Sequence, residues 1–190
     1  MHTVFRENMI NTKLILPTII SAFLSTTAFA EPSAGTGTIT FSGAIIDAPC
    51  YIAPGSDEQT ISLGQVNKSL LASGGETADV PFSIKLEGCD LDTIKNVTVT
   101  FKGEPADTTK KSLAINGTAS GAAVALMEFE GDRITLGQPT NNINLVDGSN
   151  ELKFKAKMTG VQIPNGEGVE LAPISVGNFT AVTDFILEYN

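Results

Sequence analysis

Apolar and polar residues alternate along most of the chain, a spacing of two that places the apolar ones on a single face of a β-strand. Ile39, Phe41, Gly43 and Ile45 form one such row, and Ile61 and Leu63 begin a second. Val80, Phe82, Ile84 and Leu86 alternate with Pro81, Ser83, Lys85 and Glu87 up to Cys89. Val97, Val99 and Phe101 alternate with threonines, and Leu152, Phe154, Ala156 and Met158 alternate with Lys153, Lys155 and Lys157. Those lysines read as the solvated face of their strand. Residues 122–129 are apolar with weaker alternation; a strand is preferred there to a short helix because strands surround it.

Turn-forming stretches separate the rows: Pro54-Gly55-Ser56-Asp57, Ser73-Gly74-Gly75, Asn116-Gly117, Asp147-Gly148 and Pro164-Asn165-Gly166. Short antiparallel strands with one apolar face each must bury those faces against one another, so the pattern predicts an all-β, two-sheet sandwich. From Gly177, every second residue is Phe179, Ala181, Thr183, Phe185, Leu187 and Tyr189, and the sequence stops at Asn190. The expectation is a thirteen-residue final strand with aromatic side chains along its length and no strand after it. An immunoglobulin-like sandwich normally follows its sixth strand with a seventh that covers the core. A sheet left open there would aggregate unless something covered the edge. The polar, glycine-containing stretch from Glu31 to Thr38 is a spare extended arm that could do so.

The first thirty residues are not part of the fold on this reading. His2, Arg6 and Lys13 supply positive charge, residues 14–24 are an apolar run interrupted by Pro17 and Ser21, and Ala28-Phe29-Ala30 is a small-x-small cleavage site. That is the layout of a secretory signal peptide, with too short an apolar run to span a bilayer as a helix. Cleavage is expected after Ala30, and translation from Met9 would still give a complete signal. The remaining 160 residues, with 10 basic and 20 acidic side chains and a net charge of −10, suit one domain.

Charge and chemistry narrow the function. An acidic chain argues against nucleic-acid binding and against attachment to an anionic membrane. Removing the leader removes His2, the only histidine, so neither a Ser-His or Cys-His nucleophile nor an imidazole metal site can be built. Asp90 and Asp92 read as a solvated loop, no phosphate-binding loop is present, and Gly35-x-Gly37 lacks a following helix. No enzyme activity, cofactor, metal or small-molecule substrate is expected. Cys50 and Cys89 enter an oxidising compartment and are expected to form a disulfide, since no Cys-x-x-Cys redox spacing competes.

Several segments resemble the structural pilins of chaperone–usher pili, particularly those of P and type 1 pili. They are Gly-x-Ile-x-Phe-x-Gly-x-Ile-Ile-Asp-Ala-Pro-Cys from Gly37 to Cys50, Asp57-Glu58-Gln59-Thr60-Ile61-Ser62-Leu63-Gly64-Gln65, and Leu86-Glu87-Gly88-Cys89-Asp90. The ending also matches, with Gly177 fourteenth from the C-terminus and Tyr189 penultimate. The resemblance spans residues 31–190, loosely from about 104 to 150. It implies an incomplete immunoglobulin-like sandwich lacking its seventh, C-terminal strand and completed by donor-strand addition. Its domains would be a signal peptide (1–30), an N-terminal donor extension (31–38) and a pilin domain (39–190).

The function so implied is a structural subunit of a fimbria that supports adhesion at the cell surface, reached through the periplasm. A periplasmic chaperone would fill the groove beside Gly177, Phe179, Ala181, Thr183, Phe185, Leu187 and Tyr189, anchoring the Asn190 carboxylate. At an outer-membrane usher, the arm of an identical or related subunit would replace it, presenting Gly35, Gly37, Ile39 and Phe41 on one face. Gly37 is assigned to the family's obligatory glycine, against a merely flexible arm. The alternatives are a minor adaptor or terminator subunit with the same fold, and a secreted, monomeric carbohydrate-binding sandwich.

Overall fold

The computed structural model describes residues 37–45, 48–92, 94–164, 166 and 168–190. The expected leader, arm residues 31–36 with Gly35, and Asn165 lie outside the described residues. The chain divides into two units at Gly43 and Ala44.

In the first unit, residues 37–43 enter no strand among the described residues, and Ile39 and Phe41 are 80% and 91% exposed. Ile45, in the second unit, is likewise exposed and unpaired. The row from Ile39 to Ile45 therefore has the alternation of a strand without a sheet to join. Alternation reports a segment's fitness for pairing, not the presence of a partner.

The second unit carries β1 (Tyr51–Ile52), α1 (Lys68–Ala72), β2 (Val80–Cys89), β3 (Asn96–Lys102), β4 (Leu113–Ala114), β5 (Asn116–Gly117) and β6 (Ala122–Glu128). It continues with β7 (Ile143–Asn144), β8 (Gly148–Gly160), β9 (Gln162–Pro164), β10 (Val169–Leu171), β11 (Phe179–Thr180) and β12 (Asp184–Tyr189). One sheet has the order β1-β2-β8-β6-β4 and the other β12-β3-β7; β9 with β10 and β5 with β11 make two-stranded pairs, all antiparallel.

The two larger sheets bury their alternating faces on each other. Ile84 and Leu86 of β2, Leu152, Phe154 and Met158 of β8, and Val97, Val99 and Phe101 of β3 are at most 1% exposed. Phe101 meets Phe154 edge-on, with ring centroids 5.0 Å apart, and Phe82 lies 5.7 Å from Phe154. The Phe101–Phe154 contact crosses between the sheets, whereas Phe82 and Phe154 are partners on adjacent strands of one sheet. Residues 122–128 are a strand, as the pattern predicts.

Cys50 and Cys89 are bonded and nearly buried at the β1–β2 end of the larger sheet. The bond closes a loop with a sequence separation of 39, which contains α1 and all of β2 up to Cys89. Replacing both cysteines by serine is expected to cost about 4 kcal/mol by the chain-entropy model, read as a lower urea midpoint with a steeper slope, because the unlinked denatured chain is more expanded.

Several expectations need correction. Ile61 and Leu63 do not begin a strand: among the described residues, no backbone hydrogen bond joins 60–66 to another segment, although Leu63 and Val66 pack on the core. The segment leads into α1, which the pattern did not predict; the Asn67 side chain caps it by accepting from the Ser69 N–H at 2.9 Å, and Leu71 is its buried residue. Asn116-Gly117 is a short strand and not a turn, because it meets Phe179 and Thr180. The lysine face is only partly solvated. Lys157 pairs with Glu76 at 2.8 Å and Asp79 at 3.7 Å, and Lys155 with Asp79 at 3.5 Å, because the segment before β2 lies across the outside of β8. Arg133 joins the same Glu76.

Candidate functional site

A groove of about 1120 Å3 opens along one side of the sandwich. Its floor is the core itself, with Phe82, Ile84 and Phe101 toward one end and Ala122, Val124 and Met158 toward the other. One wall is the unpaired segment 59–66; the other runs from Ile174 to Phe185. The first wall is held at its start by Gln59, whose side-chain amide donates to the carbonyls of Ser56 and Ser83, each at 3.0 Å.

The second wall shows the alternation expected from the sequence. Phe179, Ala181, Thr183, Phe185, Leu187 and Tyr189 are half-buried, and the residues between them are exposed. It is not one continuous strand, however. Its first part, β11, pairs with β5, and its second, β12, pairs with β3. Between them the wall changes partner, because β3 ends at Lys102 and the chain turns at Gly103; there the Thr183 hydroxyl donates to the Lys102 carbonyl at 3.0 Å.

The register of β12 decides where its main chain points. Asn190 and Asn96 exchange both hydrogen bonds, N–H to carbonyl at 2.9 and 3.1 Å. In an antiparallel ladder every second residue faces the partner, so Glu188, Ile186 and Asp184 also face β3. Phe185, Leu187 and Tyr189 therefore turn their N–H and carbonyl groups away from β3, toward the open edge. The same counting sends Val99 and Phe101 to the other side of β3, where Val99 bonds Thr140 and Phe101 bonds Gly137. The three residues whose side chains point at the core are thus the ones whose backbone is left for a further strand. Burial also raises the Tyr189 phenol above its ordinary pKa.

Gly177 sits where two segments nearly touch. The N–H groups of Thr118 and Ala119 donate to the Asn178 carbonyl at 3.0 and 3.1 Å, and the Asn178 N–H donates to the Thr118 hydroxyl at 3.0 Å. A Cβ on Gly177 would stand 2.5 Å from the Ala119 nitrogen, so any side chain there pushes the wall off residues 118–119. Gly177→Val is expected to cost about 3 kcal/mol, measured by denaturant titration, while Val176→Ala beside it changes little.

The structure thus gathers Gly177, Phe179, Ala181, Thr183 and Phe185 along the groove, with Leu187 and Tyr189 beyond its open part and Asn190 tied back to Asn96. Cys50 and Cys89 stand apart as a structural bond. Gly37, Ile39 and Phe41 are exposed, and a Cβ on Gly37 would meet nothing within 4 Å. The opposite wall, 59–66, is the part that sequence reasoning missed. Its available signal was a short alternating stretch, Ile61 and Leu63, followed by the turn-forming Gly64 and by Asn67, a residue type favoured at helix N-caps.

A family model described as fimbrial protein matches residues 39–190. The chain is 42% identical to the fimbria A protein of Serratia marcescens, over 93% of this chain and 97% of that relative. It is 41% identical to the major MR/P fimbria protein of Proteus mirabilis, over 82% of this chain and 85% of the relative. Among solved structures, the crystal structure of the P pilus rod subunit PapA matches with a TM-score of 0.64 at 27% identity, covering 75% of this chain and 100% of PapA. A chaperone–usher pilus structure concerned with rod uncoiling matches with a TM-score of 0.70 at 28% identity, covering 83% of this chain and 97% of its own.

Proposed function

The chain belongs to the fimbrial protein family and is a structural pilin, exported through the periplasm to an extracellular pilus built with related subunits, and on that footing we propose that copies join head to tail, each filling its neighbour's groove with its N-terminal arm. The observation that carries this is the double role of Phe185, Leu187 and Tyr189, which lend side chains to the core and free main-chain groups to the groove edge. An extended segment satisfies both. Its backbone continues the ladder beyond β12, and its alternate side chains enter the floor. Peptide recognition by strand addition works this way, and chaperone–pilin complexes are among its known examples.

The arm fits the requirement. Ile39 and Phe41 are apolar, share a face, and are exposed in the subunit. Burying each contributes roughly 1.5–3 kcal/mol, with about 1 kcal/mol for each ladder hydrogen bond. Gly35 and Gly37 complete the same face where little depth is available. The donor segment reads as longer than residues 31–38, since the exposed, unpaired stretch continues to Ile45. Before assembly a periplasmic chaperone supplies the strand, and at an outer-membrane usher the arm replaces it. The Asn190 carboxylate is the chaperone's anchor point. Because one copy's groove takes another copy's arm, the contact is heterologous, and a heterologous contact that does not close gives an open filament.

The test is a synthetic peptide of residues 31–45 added to chaperone-free subunit. At a hundredfold excess over its Kd it is expected to stabilise the subunit by about 2.7 kcal/mol, whereas a peptide with Asp at positions 39 and 41 does not. A soluble, stable monomer indifferent to both peptides would instead describe a self-complete sandwich.

A further inference from the structure

The two sulfurs of the disulfide have different surroundings. Cys89 ends β2, a ten-residue strand that pairs with β8 from Val80 to Leu86 and again at Cys89, opposite Gly148. Cys50 stands just before the two-residue β1. Among the described residues ahead of it, only Pro49 bonds another segment, its carbonyl accepting from the Asp90 N–H at 2.9 Å. Both cysteines are nearly buried, but a small local opening uncovers Cys50, whereas uncovering Cys89 means parting β2 from β8.

The hydrogen bonds differ in the same sense. Asn150 of β8 uses its whole amide: Oδ1 accepts from the Val146 N–H at 2.9 Å, and Nδ2 donates to the Val146 carbonyl at 2.7 Å and to Cys89 Sγ at 3.2 Å. The two bonds to Val146 orient the amide, and the third aims an N–H at one sulfur of the pair. Among the described residues, Cys50 Sγ has no such donor. A donor stabilises a thiolate more than a neutral sulfur, and thiol–disulfide exchange is faster when the departing sulfur leaves as the more stable thiolate.

We propose that Cys50 is the site at which a thiol joins this chain covalently, and that Asn150 is a positioning residue that makes Cys89 the leaving sulfur. The incoming thiolate attacks Cys50 Sγ. A new S–S bond forms there, the Cys50–Cys89 bond breaks, and its electron pair leaves on Cys89 Sγ beside the Asn150 N–H. Closure is the same step reversed: the Cys89 thiolate attacks the mixed disulfide at Cys50 and expels the thiol as its thiolate.

The probe is reduced glutathione. Folded subunit is treated with it at mildly alkaline pH, quenched with acid at early times and mapped by peptide mass spectrometry. Glutathione is expected on Cys50 about tenfold more often than on Cys89. Equal labelling, or a preference for Cys89, overturns the site, and this measurement needs no variant. In Asn150→Asp the acceptor for the Val146 N–H is kept, but a carboxylate oxygen replaces the N–H that faces Cys89. The preference for Cys50 is expected to fall about fivefold there, and also in Asn150→Leu, which has neither donor nor charge. Loosening this end of the sandwich would speed attack on both sulfurs without changing their ratio. A ratio unchanged in the two variants therefore overturns the role of Asn150.

Discussion

Deletion of residues 31–41 is expected to stop filament growth while leaving the subunit folded and competent for capture by its chaperone. The deletion takes Ile39 and Phe41 from the donor side, worth roughly 3–6 kcal/mol of burial together. By affinity arithmetic that is about 10²–10⁴-fold in subunit association, before the ladder hydrogen bonds are counted. It removes nothing from the groove, since both walls and the floor are built from residues 52–185. A chaperone brings its own strand and has no need of the arm. Electron microscopy should show no filaments, and chaperone pull-down should recover the subunit at wild-type yield. Normal filaments from the deletion would assign the groove a different occupant.

Phe185→Asp is expected to abolish periplasmic accumulation altogether. Phe185 is directly opposite Phe101 in the register of β12 on β3, and Phe101 is 1% exposed against Phe154. Truncating a core aromatic costs about 3–5 kcal/mol, and a carboxylate facing an apolar floor without a partner adds several more. Domains have only about 5–15 kcal/mol to lose, and one with an open groove is expected near the lower limit. The neighbouring position is the control. Ile186 is 41% exposed on the outer face, so Ile186→Asp should stay within about 1 kcal/mol of wild type. Equal yields from the two variants would mean that the strand faces the other way.

Much of this was legible because a strand's alternation is a direct record of which side is buried. Phe185, Leu187 and Tyr189 in β12, and Val97, Val99 and Phe101 in β3, could be assigned a face before any partner was known. What alternation cannot record is pairing. Ile39 to Ile45 and Ile61 to Leu63 carry the pattern without a ladder, and Asn116-Gly117 carries turn chemistry yet pairs with Phe179 and Thr180. The break between β11 and β12 was invisible for the same reason, since it arises where β3 ends and not from anything in residues 181–183. The groove has the same origin. Its second wall was legible as an unpartnered strand, but its first is defined by a lack of pairing: among the described residues, no backbone hydrogen bond joins 60–66 to another segment.

Amide hydrogen exchange along β12 tests the head-to-tail account most directly. In the lone subunit the N–H groups of Ile186, Glu188 and Asn190, which face β3, should exchange slowly, and those of Phe185, Leu187 and Tyr189 should exchange fast. In the filament all six should be protected. Amides of Phe185, Leu187 and Tyr189 that are already slow in the lone subunit, or still fast in the filament, would contradict it.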